Sequence, residues 1–278
     1  MDAIFLAFKE SGISSNKFIQ KIKKNLNLKK IGHSGTLDPF ASGILLIGTG
    51  NYTKLLHNFN NLDKTYQGTI LFGKETDTLD ITGKILKEEI VNLDIKKIKK
   101  EIKDNFIGDI SQVPPIFSAI KIKGKPAYKY AIKGKNIDLE AKKRFIYYFN
   151  IYETDKNNEF NFEIKVSSGT YIRSIARDLS FKLNSIAIIK DLKRIKIGNL
   201  KIEDPYNKIE KIEDPYEILK IKKIELNIEK TKEILDGKKI EILDYDDLIL
   251  LAYNKKNNNE IFIQKINKNT YKIKKRIK

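Results

Sequence analysis

A chain of 278 residues and 32.2 kDa is long enough to remove about three quarters of its unfolded surface from water, in one large domain with a small companion. Its lack of cysteine excludes disulfides, thiolate nucleophiles and Cys-based zinc or iron–sulfur sites, and two histidines cannot by themselves build a three-His metal site. The 54 Lys and Arg against 36 Asp and Glu leave a formal charge of +18, which selects an acidic partner, with nucleic acid first. Lysine-, isoleucine- and asparagine-rich composition also follows from genomic base bias, so motifs must decide. Only five of the basic residues are arginines, and each of those carries more information than a lysine.

In chain order, the opening MDAIFLAFKESG lacks the basic leader and apolar core of a signal peptide. No apolar run approaches the roughly 18 residues of a spanning helix. Both observations predict a soluble, cytoplasmic chain. Residues 4–8 read as a short strand, followed by a turn at Gly12. Ser14 or Ser15 then caps a helix on which Phe18, Ile22 and Leu26 recur at helical spacing. HSGTLDPFASG, residues 33–43, is too rich in Gly and Pro for one regular element and runs straight into ILLIG. That layout is a structured loop anchored on a core strand.

Residues 65–72 form another predicted strand, and FGKETDTLDITG is a polar excursion after it. Ile95, Ile98, Ile102 and Phe106 share one helical stripe. The two prolines of QVPPIFSAIKIKG deny it a helix interior, so it reads as an ordered loop feeding a short strand. Residues 145–152 and 159–167 predict a hairpin, with Phe160, Phe162, Ile164 and Val166 on one side. GTYIRSIARDLSFKL then starts a helix whose apolar face is Ile172, Ile175, Ala176, Leu179 and Leu183, with Tyr171 and Arg173 near its beginning.

Charge divides the chain further: net +14 over residues 1–200, −4 over 201–247 and +8 over the last 31. KIEDPY occurs at 201–206 and again at 211–216, too few copies for a solenoid, and reads as a local duplication in a permissive surface segment. Beyond Gly237, short apolar runs at 248–252 and 261–263 predict a small β-rich module.

Among residues that can carry chemistry, Asp38 stands out, flanked by His33, two glycines and Pro39. Such a carboxylate binds metal, acts as a general base or attacks an electrophilic carbon; an Asx turn at Asp-Pro is the bland alternative. The assembly of motifs narrows this. GHSGTLDPFASGILLIGTG, KTYQG, FGKETDTLDITG, VPPIFSAIKIKGKPAY and SSGTYIRSIARDL, in order from about residue 4 to residue 198, closely resemble the bacterial tRNA pseudouridine synthases that act on the T-loop uridine at tRNA position 55.

The resemblance implies an α+β fold: a pseudouridine synthase catalytic domain with a mixed, largely antiparallel sheet over residues 1–222, and a short, divergent, β-rich PUA-like RNA-binding domain over 223–278. It implies that Asp38 is the family's essential aspartate, either attacking ribose C1′ or helping to remove the 2′ proton, and the sequence leaves both routes open. Tyr66 matches the tyrosine against the target base, a candidate for the later C5 proton abstraction. Arg173 matches the arginine that pairs with the aspartate. Tyr171, Leu192 and His33 match pocket and RNA-side positions, and Lys9 a phosphate contact in a loop where Glu10 stands in place of the usual proline.

His57 has no comparable motif and reads as structural. The resemblance further implies no organic cofactor, no metal, a tRNA T arm as partner, no membrane, no obligate protein partner and a monomer. Seven basic residues among the final fourteen would touch RNA backbone. Three other readings compete: a noncatalytic tRNA-binding protein, a synthase for a different RNA loop, and a metal-dependent nuclease using Asp77 and Asp80, for which no corroborating ligand set is visible.

Overall fold

The computed structural model describes residues 1–278 except 123, 136, 203–207, 244 and 278. Among the described residues, twelve strands and four α-helices come first in chain order: β1 (Ala3–Lys9), α1 (Ser15–Asn25), β2 (Ile31–Ser34), β3 (Ser42–Thr49), β4 (Lys64–Phe72), β5 (Lys74–Thr76), β6 (Ile85–Glu88), α2 (Ile95–Asn105), β7 (Gly108–Gln112), β8 (Lys121–Ile122), β9 (Lys125–Pro126), α3 (Tyr128–Ala131), β10 (Lys142–Glu153), β11 (Glu159–Val166), α4 (Ile172–Lys182) and β12 (Ala187–Ile197). Then follow β13 (Ile209–Ile212), α5 (Pro215–Ile218), β14 (Lys223–Glu225), α6 (Ile228–Leu235), β15 (Ile240–Glu241), β16 (Ile249–Asn254), β17 (Asn259–Lys265) and β18 (Thr270–Arg276).

The main sheet runs β13-β1-β3-β12-β4-β11-β10-β7, with β2 also on β3. Every pairing is antiparallel except β12 on β3. This is the expected α+β fold with a mixed, largely antiparallel sheet. The alternating Phe160, Phe162, Ile164 and Val166 put one face of β11 into a core shared with α2 and α4. The ILLIG run is buried at every position because β3 is covered on both faces.

The parallel β12–β3 contact of the main sheet depends on one residue. Gly43 opposite Arg194 has φ +117°, and a Cβ there would lie 2.3 Å from the Arg194 carbonyl oxygen and 2.5 Å from its nitrogen. Neither the left-handed backbone nor the contact admits a side chain. Gly43→Ala is expected to destabilise the protein by more than about 3 kcal/mol; a urea midpoint equal to wild type would contradict this.

At α1 the structure separates the two serines. Ser14 Oγ caps the helix by accepting from Lys17 N at 3.2 Å. Ser15 is buried and ties the helix to the Asp38 loop, donating to Leu37 O at 3.0 Å and accepting from Leu37 N at 2.9 Å. Leu26 does not join the apolar stripe as expected: the helix ends at Asn25, Leu26 becomes the exposed C-terminal cap, and Ile19 packs with Ile22 instead.

The second sheet, β14-β16-β17-β18-β15, is the expected small β-rich PUA-like module. Helix α6, which the sequence reading did not anticipate, lies over it and contributes Ile234 to its core. The basic C-terminus is therefore not a loose tail; most of it is β18, with Lys272 and Lys274 exposed and Tyr271 and Ile277 buried.

The second KIEDPY copy corrects the expectation of a permissive surface segment. Ile212 pairs with Ile4, Asp214 caps α5 by accepting from Tyr216 N at 3.0 Å, and Tyr216 is buried. Positions 203–206 of the first copy lie outside the described residues. Tyr52 and Tyr216 both donate to the Glu260 carboxylate, at 2.9 and 2.5 Å. Around them Ile4, Leu6, Leu46 and Phe59 share one apolar cluster with Leu251, Phe262 and Ile277, so the two sheets meet through a common core.

Candidate active site

The HSGTLDPFASG loop leaves β2 and returns as β3, and it carries Asp38 to the mouth of a cavity of about 340 Å³. Arg173 reaches the same point from the first turn of α4, across 135 residues of sequence. Its Nε donates to Asp38 Oδ2 at 2.8 Å and its Nη2 to Asp38 Oδ1 at 2.9 Å, a bidentate pair. The arginine side chain is 3% exposed and the carboxylate 34%, so the pair is held from beneath while Asp38 stays open to the cavity.

The remaining guanidinium donors anchor two further loops. Nη1 donates to Thr78 O at 2.6 Å and Nη2 to Phe117 O at 2.9 Å. Asp80 lies 3.8 Å from Arg173. Its own Oδ1 accepts from Thr78 Oγ1 at 2.9 Å and from Thr82 N and Oγ1 at 3.0 and 2.6 Å. The acidic ETDTLD segment is thereby a self-bonded turn, and Asp77 accepts from Lys84 N at 2.8 Å. Among the described residues no group of three or more His, Asp or Glu stands close enough to hold a metal ion.

Tyr66 on β4, Leu192 on β12 and Tyr171 at the N-cap of α4 line the cavity with Asp38. Tyr66 faces between Ile164 and Arg194 in the sheet and is 9% exposed; no described residue bonds its hydroxyl. Gln112 fixes the backbone of Tyr171 from both sides, accepting from its N at 2.8 Å and donating to its O at 3.1 Å. Burial raises the Tyr171 phenol above its ordinary pKa, so it enters neutral. Two aromatic rings and a leucine around a carboxylate are shaped for a flat polar base.

His33 and Lys9 lie outside this lining. His33 Nε2 is 3.2 Å from Asn16 Oδ1. Burial, with the nearby Arg194 cation, lowers its pKa below the usual imidazole value, so the ring is neutral near pH 7. His57 is exposed and bonds Lys54 O at 2.9 Å.

Lys9 requires a correction. Rather than offering its ammonium to phosphate it is wholly buried, donating to Ala41 O at 2.6 Å, Ile13 O at 2.8 Å and Glu10 O at 3.0 Å. It clamps the Asp38 loop to the turn after β1. Glu10 in the proline position pairs instead with Lys208 at 2.5 Å.

Burial lowers the Lys9 pKa to about 8, against a partial rise from Asp38. A lysine whose folded pKa lies below its unfolded value binds fewer protons when folded, so stability rises with pH between about 8 and 10.5. The stability of wild type relative to Lys9→Met is expected to rise by on the order of 2 kcal/mol across that window. Urea titrations at pH 7.5 and 10 measure it, and a flat difference would contradict it.

Sequence reasoning missed two lining cations, Lys64 and Arg194. Both carried a signal: Lys64 opens the KTYQG motif, and Arg194 is one of the five arginines.

Comparison with known proteins gives a consistent result. Residues 23–172 match the model of the TruB family pseudouridylate synthase (N terminal domain). Over 257 residues the chain is 37% identical to the tRNA pseudouridine synthase B of Aquifex aeolicus (strain VF5), covering 88% of this chain and 89% of that one. It is 44% identical over 197 residues to the protein of the same name from Acholeplasma laidlawii (strain PG-8A), 71% of this chain and 70% of that one. A Cbf5-Nop10-Gar1 complex has a chain matching 99% of this one and 85% of its own length, with TM-score 0.68 and 20% identity; that likeness is one of fold alone.

Proposed function

Because the chain belongs to the TruB pseudouridylate synthase family, we propose that it isomerises uridine to pseudouridine in tRNA, at position 55 of the T loop. The observation that carries the site assignment is the bidentate Asp38–Arg173 pair at the mouth of a cavity lined by Tyr66, Tyr171 and Leu192.

The reaction breaks the bond between ribose C1′ and uracil N1 and forms one from C1′ to C5. N1 gains a proton and C5 loses one, so atoms balance without an oxidant, a cofactor or a metal. Asp38, ionised and oriented by Arg173, starts it, by attack on C1′ or by taking the 2′ proton. Closure of the cavity by RNA would exclude water from the pair. In this reading Tyr66 and Tyr171 hold the extruded uracil while it turns, with Leu192 as the apolar wall, and Tyr66 takes the C5 proton. His33 belongs to the RNA side, next to the loop it shares with Asp38.

In the same proposal, residues 1–222 form the catalytic domain and 223–278 a PUA-like RNA-binding domain, in favour of which β14, the first strand of the second sheet, starts at Lys223. The protein works as a cytoplasmic monomer without an obligate protein partner. Among the described residues no helix is long and apolar enough to cross a membrane.

The test is tritium release from a folded tRNA transcript labelled at uridine C5. Release that depends on the T-loop uridine is the expected result. Release from a transcript lacking that uridine would overturn the position, and binding without release would favour the noncatalytic reading.

A further inference from the structure

The cavity holds more positive charge than the aspartate chemistry uses. Arg194 is 1% exposed, and its described hydrogen bonds are to neutral carbonyls, Nε to Ile44 O and Nη2 to Gly35 O, each at 2.8 Å. Its third nitrogen, Nη1, has no acceptor among the described residues. No carboxylate pairs with this guanidinium among them, although a buried cation without a counter-ion is costly.

Lys64 stands beside it, also buried, donating to Asn60 O and Leu62 O at 2.6 Å each and reaching Ser168 Oγ at 3.5 Å. Asp63, the nearest acid in sequence, is taken by Lys165 at 2.8 Å. Burial and Arg194 lower the Lys64 pKa to about 8, against a partial rise from Asp63. Between the two cations lies Gly35, with φ +71°; a Cβ there would come within 3.3 Å of Arg194 Nη1 and 3.9 Å of the Lys64 side chain. Both cations and Gly35 line the cavity that holds Asp38, whose own charge is matched by Arg173.

We propose that Lys64 and Arg194 form a built anion site for a phosphodiester flanking the target uridine, received over Gly35. The inference rests on the enzymatic reading above and deepens it. A phosphate bound there supplies the missing counter-charge and fixes the backbone on one side of the extruded nucleotide. Asp38 and the tyrosines then meet the ribose and base in one register. Lys64 and Arg194 are positioning residues in this scheme.

Two ligated tRNA substrates decide it, each with one neutral methylphosphonate, 5′ or 3′ of the target uridine. For wild type, one of them is expected to lose about 10-fold or more in kcat/KM and in affinity. Lys64→Met should lose a similar factor on unmodified tRNA and then be indifferent to the methylphosphonate, with a log Kd against log salt slope reduced by roughly 0.7–0.9. Losses that multiply in the double change, or a wild type indifferent to both substrates, would overturn the proposal. Arg194→Lys, which keeps the charge, should retain part of the sensitivity; if it fails to fold, Lys64→Met still decides. Binding is measured beside turnover, so a wild type that never releases tritium overturns the enzymatic reading while the methylphosphonate effect on Kd still tests this one.

Discussion

Asp38→Asn is expected to reduce tritium release by at least about 10⁴-fold, the scale on which enzymes lose an essential nucleophile or base. The amide keeps the shape of the side chain and one acceptor for Arg173, but it cannot attack C1′ or accept a proton as a carboxylate does. The fold should survive. The Asp38 side chain is 34% exposed, and Arg173 keeps Thr78 O, Phe117 O and the nearby Asp80. Far-UV circular dichroism and tRNA affinity should therefore stay close to wild type. A folded Asp38→Asn enzyme within tenfold of wild-type turnover would remove Asp38 from the chemistry.

Arg173 is the second position of large effect, and there two quantities should move together. Arg173→Lys retains a charge but not the planar fork, so it cannot satisfy both carboxylate oxygens, Thr78 O and Phe117 O at once. A fall in kcat of about 10²–10³-fold with a smaller change in KM is expected, since orientation of Asp38 is lost while the base-contacting walls remain. Arg173→Met should go further and lower stability by about 3–5 kcal/mol, because it leaves Asp80 buried without its cation and two loop carbonyls without a donor. Single-turnover rates and urea midpoints separate the two effects. Equal losses in kcat for Lys and Met would mean that charge contributes nothing without the fork, whereas an Arg173→Lys enzyme with wild-type kcat would mean that charge, and not the fork, is what matters.

Much of this site is legible in the sequence, for specific reasons. The loop around Asp38 is punctuated by Gly and Pro, the helix carrying Arg173 has unbroken apolar spacing, and β11 alternates cleanly. Each is a local pattern with a local cause. The failures concern what only chain crossing decides. Lys9 looks like a surface cation until β1 is placed beside the returning loop, where four carbonyls enclose it. Leu26 fits a helical stripe, yet a stripe does not say where the helix stops. The second KIEDPY copy is polar in composition but falls against β1, and its single tyrosine becomes core. Arg194 needs the parallel contact at Gly43 to be brought over the cavity, and short-range periodicity carries no information about that pairing. Helix α6 is eight residues long, too short for its apolar positions to stand out from the surrounding isoleucines.

The junction between the two sheets bears on how the molecule comes apart. Its apolar cluster draws residues from β1, β3, β16, β17 and the C-terminal end, while one glutamate on the far side takes two phenols from the near side. Removing the last 56 residues would strip cover from the very strands that position the Asp38 loop, so a chain cut at residue 222 is not a smaller enzyme but an exposed half-core. Unfolding should accordingly be a single cooperative event, with calorimetric and van't Hoff enthalpies in agreement. Damage at either end of the polypeptide is then registered at the other, and loss of one basic strand endangers catalysis through folding before it endangers it through affinity.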